Sequence, residues 1–70
     1  MSKTLEDLGY EKDIDSEDEF LTRYIKDNDC ISFWHTKKQV NCYNRFEPFK
    51  YLTMEELKAI YQYCIDNKWI

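Results

Sequence analysis

Seventy residues allow one domain, and a chain this short buries only roughly 60% of the surface its unfolded form exposes, so nearly every large apolar side chain is needed inside. Three cysteines without a C-x-x-C pair, a single histidine and a single glycine argue against a paired disulfide framework, a zinc site and a glycine-rich phosphate loop. The net charge of −4 is uneven: residues 1–20 carry two lysines against eight carboxylates, a net −6, whereas residues 21–70 carry eight Lys or Arg against six acids, a net +2.

The opening "TLEDLG" carries a short helical turn at 4–8. Thr4 caps it, Asp7 answers three residues later, and Gly9 takes the left-handed position that ends it. "YEKDI" then alternates as a marginal edge strand, and "DSEDE", 15–19, is an acidic loop. No apolar run marks a secretory signal, and nothing approaches the roughly 20 apolar residues of a membrane span, so a soluble cytoplasmic protein with reduced thiols is expected.

From Phe20 the pattern becomes that of a β-meander reaching to about residue 46. "FLTRYIK", "ISFWHT" and "QVNCYNRF" are rich in β-branched and aromatic residues, with turns expected at Asn28–Asp29 and Lys37–Lys38. With two-residue turns, Phe33 lies opposite Cys42, His35 opposite Val40, Tyr24 opposite Phe33 and Arg23 opposite Trp34. One face then carries Phe20, Tyr24, Ile31, Phe33, Val40, Cys42 and Phe46. The other carries Leu21, Arg23, Ile25, Trp34 and Tyr43.

"TMEELKAIYQYCIDNKWI" opens with a Thr53/Glu56 capping box, and its apolar residues Met54, Leu57, Ile60, Tyr61 and Cys64 recur at helical spacing, predicting an amphipathic helix over about 53–67. Asn67 ends it, and Trp69 and Ile70 fold back. One helix needs one apolar surface, which gives a single α+β domain over 1–70: an antiparallel three- to four-stranded meander with the helix on the face bearing Tyr24 and Phe33. Phe46, Phe49 and Tyr51, around Pro48, are expected to seal the edge between sheet and helix.

The second face is the candidate interaction surface: Leu21, Arg23, Ile25, Trp34, Tyr43 and, nearby, Arg45. Rings with guanidinium groups beside them fit three uses: stacking unpaired bases, contacting a protein partner or second copy, or plain solvated surface with an Arg–Trp cation–π pair. The acidic total charge weighs against nucleic acid, whose binding depends on neutralising phosphates. His35 has no serine or carboxylate at a motif spacing, and Cys42 faces the helix where a thiol is inert, so no catalytic residue, metal ligand or cofactor is assigned.

"LEDLGYEK" and the closing "YLTMEELKAIYQYCIDNKWI", with the strand-rich middle, resemble small proteins encoded in phages, prophages and other mobile elements of Gram-positive bacteria. The resemblance implies an accessory protein that binds a host protein, and an acidic segment such as 11–19 would suit inhibition of a host defence nuclease. It implies no activity and no cofactor. The residues and the resemblance together point to a non-enzymatic protein that binds another protein or itself, with weak single-stranded nucleic-acid binding as the rival.

Overall fold

A computed structural model of the chain describes residues 3–14, 20–47 and 51–70. Four antiparallel strands lie in chain order, β1 (Glu11–Lys12), β2 (Leu21–Lys26), β3 (Asp29–Trp34) and β4 (Gln39–Asn44), and one helix, α1 (Met54–Asp66), follows them. This is the α+β architecture that the switch from two-residue to 3.6-residue periodicity predicts. Among the described residues no helix is long and apolar enough to cross a membrane. Pro48, Phe49 and the acidic loop 15–19 lie outside the described residues.

Both central pairings differ from the expected register by two residues. Tyr24 stands opposite Ile31 and Ile31 opposite Cys42, while Phe33 pairs with Thr22 and Val40. The first turn is Asp27–Asn28, with Asp27 at φ 53, and Asp29 belongs to β3, where it accepts from the side-chain amide of its partner Asn44 at 2.6 Å. The second is a four-residue loop, 35–38, ending in left-handed Lys38 at φ 54; Lys-Lys is a poor two-residue mirror turn, so the chain takes the longer one. His35 therefore sits in the loop and not opposite Val40. Because side chains alternate with period two, a slip of two leaves the residues within the strands on their expected faces, whereas Phe20 and Phe46, expected on the helix side, lie outside the strands and are exposed.

The core cluster is Leu5, Tyr10, Tyr24, Ile31, Phe33, Ala59 and Ile60, gathered between the sheet and α1. Phe33 and Ile31 are fully enclosed. The Tyr63 ring stacks on Phe33 with centroids 3.8 Å apart, and Trp69 meets Phe33 edge-on at 6.2 Å. Trp69 thus folds back as expected, whereas Ile70 stays 72% exposed.

The helix is rotated from its expected setting. Its inner stripe is Glu56, Ala59 and Ile60, with Tyr63 and Cys64 partly buried, while Met54, Leu57, Tyr61 and Ile65 are exposed. The cause is polar. Glu56 closes the capping box, its carboxylate accepting from Thr53 N–H at 2.9 Å, and its other oxygen accepts the buried Tyr10 hydroxyl proton. That double hold draws the Glu56 side of the helix inward, with Ala59 and Ile60 buried beside it. Nor do Phe46 and Tyr51 seal the edge, at 74% and 87% exposed: the N-terminal segment, through Leu5 and Tyr10, fills that role instead.

Candidate binding face

The face opposite α1 is built in three rows across β2, β3 and β4: Leu21–Trp34–Gln39, Arg23–Ser32–Asn41 and Ile25–Cys30–Tyr43. All five strand residues expected on this surface are there. Arg45 follows β4 and is held in line by its N–H bond to Asn28 O at 2.8 Å. The middle strand contributes small residues: Ser32 and Cys30 are buried beneath their larger neighbours, and Leu21 is buried too. Ile25, Trp34 and Tyr43 remain 38%, 42% and 42% exposed.

Two expectations about this surface are corrected. Arg23 stands beside Ser32, and it is Leu21 that stands opposite Trp34; among the described residues the cation–π contact is that of Lys26 over Tyr10. Trp34 and Tyr43 also sit in different outer rows with the Arg23 row between them, a separation of four β3 positions, roughly 13 Å along a strand. The rings do not form one continuous stack.

Arg23, Ile25, Cys30, Tyr43 and Arg45 line a hollow of about 370 Å³ at the turn end of this face. Hydrogen bonding to the Cys30 thiol, reinforced by that thiol's charge and by burial, holds the Tyr43 hydroxyl above its ordinary pKa, while the Arg23 and Arg45 charges pull it the other way. Both guanidinium groups therefore act at the same ring. Sequence reading overlooked Cys30 here, although its alternation with Ser32 and Trp34 along β3 was the available signal.

His35 lies away from this face. Its Nε2 is 2.8 Å from Thr22 Oγ1 and 3.2 Å from the Tyr63 hydroxyl, and Trp69 packs edge-on against its ring, a set of contacts that ties β2, the loop and the helix end together. Cys42 is half-buried against the core; burial pushes the Cys64 thiol pKa up. Among the described residues no group of His, Cys, Asp and Glu is placed to hold a metal ion. No family model, curated protein or solved structure matches the chain.

Proposed function

We propose that this chain is a non-enzymatic binding module that holds another protein against the open face of its sheet. The observation that carries the reading is that Ile25, Trp34 and Tyr43 stay partly exposed together on one sheet face that also carries Arg23. Trp, Tyr and Arg are the residue types that dominate binding energy at protein interfaces, and this face carries all three, with Tyr43, Arg23 and Arg45 around a hollow. The helix stripe Met54, Leu57, Tyr61 and Ile65 is apolar as well, but it contributes no arginine. A nucleic-acid platform fits less well, because the two rings are separated and the net charge is −4. The resemblance to small mobile-element proteins adds a setting, the cytoplasm of a bacterial host, where the partner would be a host protein.

Capture from such a host's lysate on immobilised protein, with sedimentation of the free protein alongside, tests this. Trp34→Ala combined with Tyr43→Ala should abolish capture of the partner, or dissociate a self-associated form. Retention of every captured protein by the folded, monomeric double variant would show the face to be idle.

A further inference from the structure

Arg23 is the central charged residue of the open face, and its Nε is buried without any hydrogen-bond partner. An unsatisfied buried donor on a guanidinium is costly and uncommon in a native protein, so it calls for an explanation. Among the described residues neither Arg23 nor Arg45 takes part in an ion pair, the one present joining Lys3 to Glu55. Both guanidinium groups border one hollow, and a guanidinium fork is suited to holding an oxyanion between two of its N–H groups.

Two carboxylates also border this hollow. Asp29 is engaged by the Asn44 amide at 2.6 Å, and Asp27 occupies the β2–β3 turn. Their charge offsets that of the two arginines, so the hollow carries no net formal charge to hold a free dianion, and the apolar wall is what distinguishes its occupant. Ile25 and Tyr43 supply apolar wall on either side of buried Cys30, as a side chain attached to a protein requires and a free ion does not.

We propose that this hollow takes a carboxylate presented by an acidic side chain of the partner protein, gripped between Arg23 and Arg45 with Ile25 and Tyr43 walling its stem. The inference rests on the protein-binding reading above and names the chemistry of the partner's anchor. A second copy of this chain, whose residues 1–20 carry a net −6, is an alternative source of carboxylates that the test must separate.

Nitrogen–proton correlation NMR resolves both the backbone amides and the arginine Nε–H groups, so it reads the site directly. The probes are a blocked hexapeptide of alternating glutamate and leucine, its glutamine counterpart and inorganic phosphate; a dilution series without probe reports self-association. The glutamate peptide should shift the Arg23 Nε–H together with the Tyr43 and Arg45 amides in a saturable way. The glutamine peptide should bind about tenfold or more weakly, phosphate more weakly than the glutamate peptide, and Arg45→Gln should cost the glutamate peptide about tenfold, the order of one charge-assisted hydrogen bond. Arg45 is exposed, so that variant keeps the fold. Equal binding of the glutamine peptide, or tighter binding of phosphate, would overturn the carboxylate assignment. So would an Arg23 Nε–H that moves only on self-dilution, which would give the hollow to a second copy. If Arg23 stays still while Trp34 and Tyr43 respond, the carboxylate proposal fails and the protein-binding face survives; if none responds to any probe, the hollow is not a site.

Discussion

Glu56 shows how one side chain can set the orientation of a helix. Its carboxylate caps Thr53 and accepts from Tyr10, a residue 46 positions away in the chain. Tyr10→Phe keeps the ring but leaves a buried acceptor with one partner fewer, so urea unfolding should show a loss of about 1–3 kcal/mol. An unchanged midpoint would mean the bond contributes nothing. Lys68 illustrates the opposite case, a residue poorly suited to its place. Helix α1 ends in a Schellman arrangement, with Trp69 N–H to Cys64 O at 2.8 Å and Lys68 N–H to Ile65 O at 3.0 Å, and Lys68 takes the left-handed position at φ 60. Lys68→Gly should raise stability by about 1 kcal/mol, since the left-handed conformation costs a side-chain-bearing residue roughly that much. A destabilised variant in thermal melts would contradict the assignment.

At the scale of elements, what local chemistry dictates was legible in the sequence and what distant contacts dictate was not. The Thr53/Glu56 box and the helix after it, the Thr4/Asp7 box with its reciprocal bonds at 2.9 Å and 3.1 Å, and the division of the strands into two faces all follow from neighbours within a few residues. The helix rotation escaped because apolar spacing alone favours Met54, Leu57 and Tyr61, and nothing near Glu56 in the chain announces Tyr10. For the same reason Tyr63, stacked on Phe33, went unassigned as core. The candidate face survived a register error because the slip was even, but the rows within it changed, separating Trp34 from Arg23. Helix rotation has its own test. Ala59 is 3% exposed and Leu57 43%, so Ala59→Leu should cost about 1–3 kcal/mol by overpacking, whereas Leu57→Ala, at a half-exposed site, should cost less. The reverse order in denaturant titrations would restore the orientation expected from spacing.

At the scale of the whole molecule, one sheet face holds the core and the other is the face proposed to bind a partner. One face, under α1 and the N-terminal turn, encloses Phe33 and Ile31 and carries the stability of the fold. The other keeps Ile25, Trp34 and Tyr43 partly in water, with Arg23 and Arg45, neither of them in an ion pair among the described residues. A second apolar stripe on the outside of α1 competes with it as a contact surface, with Tyr61 59% exposed. The most direct measurement is therefore site-specific photocrosslinking, with benzoylphenylalanine placed at Tyr43 in one sample and at Tyr61 in another, each irradiated in lysate of the bacterial host proposed above. Adducts to one discrete partner from position 43, and none to that partner from position 61, are the predicted result. Adducts to a discrete partner from position 61 alone would place the binding surface on the helix and contradict the account.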